Sequence, residues 1–297
     1  MNFEKVDQEG ADVVSIKSLS RRFGEKLALD NISLTVKKGT VFGIVGENGA
    51  GKTTTIKHIL GLYRCQSGSV SVFGKDPVAD PQYVLSRIGY LSEEPDLPTW
   101  MTVKELLGYL SAFYPNWDMK YAHKLLDQFE LPLNKRIGQF SKGQRARVGL
   151  TAAQAFHPEL LLLDEPSSGL DPIVRRDILN ALISTVVDEG GTVIFSSHLL
   201  DEVERFSDHL AMYSKGRVLL SEPMEKVKVN HHKISVSPVY INALKELDEY
   251  ISHSGDSEVY CYGEIGRILH KIQVMDIHVE SHDDMSLDEI FYARSMT

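Results

Sequence analysis

The chain has 297 residues, 42% hydrophobic and 25% charged, the balance of a globular protein of about two domains, which excludes disordered, collagenous and disulfide-stapled classes. Its 32 basic and 41 acidic residues leave a net charge of −9, divided as −2 over residues 1–220 and −7 over 221–297. That balance argues against a general nucleic-acid binder and puts a boundary near residue 221.

The opening MNFEKVDQEGAD is polar and acidic, unlike a secretory signal. Residues 13–18, 32–36 and 41–45 alternate or are β-branched and predict short strands. The third runs into a glycine-rich loop, and a helix is expected from Thr53 to Leu60, ended by Gly61. Cys65 follows; with Cys261 it makes two cysteines, too few for a disulfide framework and suited to a reducing compartment. SVSVF (69–73) predicts another strand. From Tyr83 to Phe156 apolar residues recur at spacings of three and four, so this stretch is expected to be mostly helical. LLLLDEP (160–166) is a fully apolar run that reads as a buried parallel strand. A helix over 173–187, a buried strand over 192–197, a helix over 199–206 and a hairpin turning at Lys215-Gly216 follow. The tail reads as three strand–helix pairs: strands at 233–239, 257–262 and 274–280, helices at 241–253, 264–272 and 286–294. No apolar run reaches the roughly 18 residues of a membrane helix.

The loop Gly46-Glu47-Asn48-Gly49-Ala50-Gly51-Lys52-Thr53 fits G-x-x-x-x-G-K-[ST] at every fixed position, between a strand and a helix. Backbone N–H groups in such a loop wrap a phosphate chain, and the helix that follows adds its positive N-terminal end. Lys52 supplies a point charge to the β- and γ-phosphates, Thr53 a hydroxyl for Mg²⁺, and Thr54 belongs to the same nucleotide-binding run. Asp164 and Glu165 emerge from the end of a buried strand, where open α/β sheets bind ligands. Asp164 would hold Mg²⁺ through water, and Glu165 would orient or deprotonate the attacking water. An acid pair alone reads equally well as a helix cap; 112 residues beyond Lys52 it points to metal-assisted phosphoryl chemistry.

With these motifs the chain resembles the nucleotide-binding subunits of ATP-binding cassette (ABC) transporters over residues 13–222. Phe140-Ser141-Lys142-Gly143-Gln144 resembles the family signature LSGGQ, Ser168-Gly169-Leu170-Asp171 its D-loop, and His198 its switch histidine. Phe23 sits where the family stacks an aromatic on adenine. Glu93 aligns with the usual glutamine of the loop that joins sheet to helical subdomain and keeps oxygen ligands for the metal. Phe140 stands for leucine and Lys142 for the first glycine of the signature. The spelling is similar to ABC-2 and Ytr-like export subunits; the phrase Phe113-Tyr-Pro-Asn-Trp-Asp118 is one such feature, and also reads as a plain turn between helices.

The resemblance implies an α/β fold: a RecA-like P-loop core with a small antiparallel β subdomain, a helical subdomain at about 85–157 and, beyond 222, a small α/β accessory domain over 223–297. It implies an ATPase with ATP and Mg²⁺ as cofactors and Glu165, His198 and Lys52 as catalytic residues. ATP lies between the phosphate loop of one copy and Ser141, Lys142, Gly143 and Gln144 of a second cassette, with Asp171 nearby. A polytopic membrane permease receives the work at the cytoplasmic face of the membrane, most simply for export. The competing class is a soluble ABC ATPase acting on nucleic acid or ribosomes; the compact gap between the two phosphate motifs and the lack of a basic patch speak against it.

Overall fold

A computed structural model describes residues 12–171, 173–180, 190–254 and 257–296. Its central sheet has the order β5-β6-β7-β3-β8-β9. The strands are β3 (Val41–Gly46), β5 (Ile88–Leu91), β6 (Leu160–Asp164), β7 (Thr192–Ser197), β8 (His209–Ser214) and β9 (Arg217–Pro223). All neighbours run parallel except β8 and β9, the hairpin expected at Lys215-Gly216. Every residue of β3, β6 and β7 is buried, which is why these strands read as unbroken apolar runs rather than alternations. Parallel pairing brings their carboxyl ends to one edge: Asp164 lies beside Ser196, and Val45 beside Ser197. One close approach fixes this edge from below. A Cβ at Gly43 would stand 2.2 Å from Ser207 Oγ and 2.4 Å from Val203 Cγ1, so only glycine lets helix α7 (Leu200–Phe206) lie against β3.

A second sheet, β2-β1-β4, packs its apolar face on the same core. β1 (Asp12–Phe23) and β2 (Lys26–Lys37) are longer than the alternating segments alone indicate, and their hairpin places Phe23 at its tip; β4 is Ser67–Val72. Helix α1 (Lys52–Ile59) follows the phosphate loop, and α2 (Pro81–Leu85) precedes β5. The stretch Tyr83–Phe156 is therefore not uniformly helical at its start. IGYL is too short for periodicity to separate strand from helix, and parallel pairing with β6 decides it. Beyond it come α3 (Val103–Ser111), α4 (Met119–Gln128) and α5 (Lys142–Gln154). Each has a side-chain N-cap: Thr102 and Ser141 in capping boxes with Glu105 and Gln144, and Asp118. Helix α6 spans residues 173–180; the rest of the helix expected to 187 lies outside the described residues.

The tail is a four-stranded antiparallel sheet, β11-β12-β10-β13. Its strands are β10 (His231–Val236), β11 (Tyr250–Ser254), β12 (Glu258–Tyr262) and β13 (Val279–Asp284). Two expectations need correction. The helix over 241–253 stops at Leu244 (α9, Ile241–Leu244, after α8, Met224–Asn230), and β11 takes over because its backbone pairs with β12. The strand placed at 274–280 starts only at Val279, because α10 (Ile265–Val274) and its capping turn consume the residues before it. Helix α11 (Leu287–Ser295) buries Leu287, Ile290 and Ala293 in the same apolar cluster as Val203, Leu210 and Leu220 of the central sheet's layer.

Candidate functional site

The loop between β3 and α1 has Gly49 at φ +82° and Gly51 at φ +111°, left-handed values that L side chains rarely adopt. A Cβ at Gly51 would also lie 2.9 Å from the Ala28 carbonyl. The glycines thus let the main chain curl over a cavity of about 380 Å³ whose walls include Phe23, Asn48, Lys52, Thr53, Glu93 and Glu165. Lys52 folds back across the loop. Its Nζ donates to the Gly46 carbonyl (2.5 Å) and the Glu47 carbonyl (3.1 Å), and lies 2.9 Å from Glu165 Oε1.

The acid pair sits opposite. Asp164 Oδ1 accepts from Thr53 Oγ1 (3.0 Å) and from Ser196 Oγ (2.8 Å). Burial pushes the Asp164 carboxyl above the ordinary carboxylate range; the Ser196 and Thr53 hydroxyls and Lys52 oppose this, and Glu165 adds to it. Tyr90, on β5, has its phenol pushed up to about 12 by burial and by the charge of Asp164. Glu165 has φ +49°, a left-handed backbone that carries strain for any side chain with a Cβ. Its N–H donates to Ser196 Oγ (2.9 Å), and its Oε2 meets His198 Nδ1 at 2.7 Å. Lysine, glutamate and histidine therefore form one connected row.

Other expected residues fall into two groups. Phe23 borders the cavity, with Tyr63 edge-on at 5.5 Å and the Arg21 guanidinium 4.7 Å from its ring centre. Glu93 borders it too, and accepts from Ser168 Oγ at 2.8 Å. Ser141, Lys142, Gly143, Gln144 and Asp171 do not line it. Ser141 Oγ accepts from the Gln144 N–H (3.2 Å), Lys142 Nζ lies 3.9 Å from Glu94, and Asp171 caps α6 by accepting from the N–H groups of Ile173 and Val174. A Cβ at Gly143 would stand 3.1 Å from Val174, so the signature packs against α6, the helix that follows the D-loop, within one chain. Sequence reasoning missed Ser196, which bridges both acids. Its signal was two adjacent hydroxyls closing the buried strand TVIFSS.

A glycine nest with a lysine, set against two carboxylates at the exit of a buried parallel strand, defines a phosphate-loop nucleoside triphosphatase. The comparisons narrow this. Residues 29–168 match the family model described as ABC transporter. The chain is 32% identical to the bacitracin transport ATP-binding protein BcrA of Bacillus licheniformis, covering 74% of this chain and 73% of that protein. It is 28% identical to the ABC transporter ATP-binding protein YtrB of Bacillus subtilis (strain 168), over 76% and 77% of the two chains. Among solved structures, a dimeric ATP-binding cassette in a post-hydrolysis state with ADP and phosphate is 25% identical, with a TM-score of 0.63 over 71% of this chain and 98% of that one. The chain belongs to the ABC transporter family as an ATP-binding, ATP-hydrolysing subunit.

Proposed function

We propose that this subunit drives export through a separate membrane permease, as one half of a pair of cassettes that close on ATP. The row Lys52–Glu165–His198 carries the reading. Lys52 is placed to give up Glu165 for the β- and γ-phosphates. Glu165 then becomes the carboxylate that orients or deprotonates the attacking water, with His198 holding its second oxygen. Thr53, Asp164 and Glu93 offer hard oxygen donors, the set that suits Mg²⁺ beside phosphate oxygens; the ion, when bound, offsets developing negative charge on the phosphates. Phe23 is the stacking platform for adenine.

Ser141 to Gln144 lie off the cavity of their own chain, which supports a role across a dimer interface. Ser141 and the first amides of α5 present an anion cradle to the γ-phosphate held by the other copy, with Lys142 adding charge and Asp171 nearby. A groove of about 470 Å³ between the central sheet and the helical region includes Leu62, Tyr90, Leu97, Leu110, Tyr114 and Phe156; it fits the apolar face of a permease's cytoplasmic helix. No helix of the described residues is long and apolar enough to cross a membrane, so on this reading the subunit works peripherally, at the cytoplasmic face. Residues 223–297 form the accessory domain, a brace on the ATPase core.

The test is Glu165→Gln. It should bind ATP with unchanged affinity and lose turnover by about 10²–10⁴-fold. A near-normal rate overturns the assignment of Glu165.

A further inference from the structure

We infer that Glu202 is the positioning residue that sets Glu165 against His198, an inference that rests on the reading of Glu165 as the carboxylate acting on water. Glu202 lies in the first turn of α7, 4% exposed, and does not border the nucleotide cavity. Its Oε2 accepts from two hydroxyls at once: Ser167 Oγ at 2.9 Å and Ser197 Oγ at 2.6 Å. Ser167 is two residues beyond Glu165, and Ser197 immediately precedes His198. The other oxygen, Oε1, lies 3.2 Å from Arg175 Nε on α6, and the Arg175 N–H donates to the Asp171 carbonyl at 3.0 Å. One carboxylate therefore gathers the exit of β6, the exit of β7 and the start of α6.

Nothing about packing alone asks for a charge here. Two serine hydroxyls and an arginine could face water; a buried carboxylate persists only where its hydrogen bonds and countercharge are arranged for it. In return, hydrogen bonds to an ionised acceptor are about twice as strong as neutral ones, so the grip on both serines is firm. That firmness has a target. Glu165 holds a left-handed backbone at φ +49°, a conformation that survives only when its surroundings over-determine it. Ser196 pins Glu165 from the amide side, and the Glu202–Ser167 bond pins the chain just past it. Ser197 Oγ also accepts from the Leu199 N–H at 3.0 Å, so the same hydroxyl clamps both sides of His198. The 2.7 Å contact between His198 and Glu165 is the sum of these two placements.

The experiment compares purified Glu202→Ala, Glu202→Gln and Glu165→Gln by steady-state ATPase kinetics, with thermal unfolding as the check on folding. Glu202→Ala should lower kcat by about tenfold or more, as small misplacements of reacting groups do, with KM for ATP within about twofold. Glu202→Gln keeps an acceptor oxygen for both serines but loses the charge, and should recover part of the loss, with kcat between that of Glu202→Ala and the parent. A folded Glu202→Ala protein with parental kcat overturns the inference, as does an equal loss in both variants accompanied by a matching rise in KM. If Glu202→Ala does not fold, Ser197→Ala takes its place, with a several-fold fall in kcat at constant KM expected and a parental kcat overturning the inference. Full turnover in Glu165→Gln would instead sink the assignment beneath it, so the two failures are distinguishable.

Discussion

Removing Lys52 should unfold the empty protein more readily than removing the charge of its partner. The Lys52 and Glu165 side chains are 5% and 8% exposed and 2.9 Å apart. Deleting one member of a buried pair leaves the survivor uncompensated, at a cost of about 3–5 kcal/mol. The two deletions differ in what survives. After Glu165→Gln, Lys52 still donates to the carbonyls of Gly46 and Glu47, so its charge stays compensated and the lost ion-pair contact costs less than about 3 kcal/mol. After Lys52→Ala, Glu165 retains His198 alone on its side-chain oxygens among the described residues, so this variant sits in the upper range. At about 2–4 °C per kcal/mol for a domain of this order of size, Lys52→Ala lowers Tm by roughly 6–20 °C. The assay is thermal unfolding without nucleotide and with chelator, for both single variants and the double variant. The double should cost less than the sum, because neither charge is then left alone. A Tm for Lys52→Ala within a degree or so of the parent, or a larger loss in Glu165→Gln, refutes the reasoning.

Gly43→Ala drives a methyl group into Ser207 and Val203 and should cost about 1–3 kcal/mol by overpacking, read by urea unfolding; a neutral result means α7 is free to lift. Asp164→Asn should stabilise the metal-free protein at pH 7 while abolishing ATPase activity. Burial raises the Asp164 carboxyl above 3.8 in the fold, so the unfolded chain ionises more readily and the ionised group subtracts stability at neutral pH. The gain in Tm should shrink as pH falls towards 3.8, and a constant gain refutes its electrostatic origin. His231, on β10, is pushed down from 6.5 to about 4, first by burial, with Arg294 and His232 adding to it. Its Nδ1 donates to the Val227 carbonyl, and its Nε2 faces the Arg294 guanidinium. The unfolded chain takes up the proton first. The stability from His231 is thus complete above pH 6.5 and lost as pH falls to about 4, up to about 3 kcal/mol. His231→Gln should flatten urea-unfolding stability against pH across that window, and an unchanged slope would exclude His231 as its source.

What the sequence made legible was what chemistry forces on local residue order. A phosphate nest needs glycines at fixed places, and a capped helix announces itself through Ser141 and Gln144. An acid pair can leave a buried strand only at its end. What stayed hidden depends on partners distant in the chain. Ile88–Leu91 becomes a strand because β6 lies beside it, and Tyr250–Ser254 because β12 does. Asp201 and Glu202 stand side by side with nothing local to separate them. Only the fold turns one of them inward onto Ser167 and Ser197. Phe23 was placed by resemblance, whereas Arg21 and Tyr63 around it are brought in by the hairpin and the turn after α1.

Helix α5 spans 13 residues, Lys142–Gln154, about 20 Å of unjointed rod. Ser141 stands at its tip, while Gly149 and Ala153 near its far end form part of the wall of the apolar groove. A Cβ at Gly149 would stand 2.8 Å from Leu91 and 3.3 Å from Pro95, so the rod rests bare-backed on the loop that carries Glu93. A push delivered at the groove has no hinge within α5 in which to be absorbed. It must arrive at the serine end as tilt or translation, and the loop that carries Glu93 must feel the same stroke.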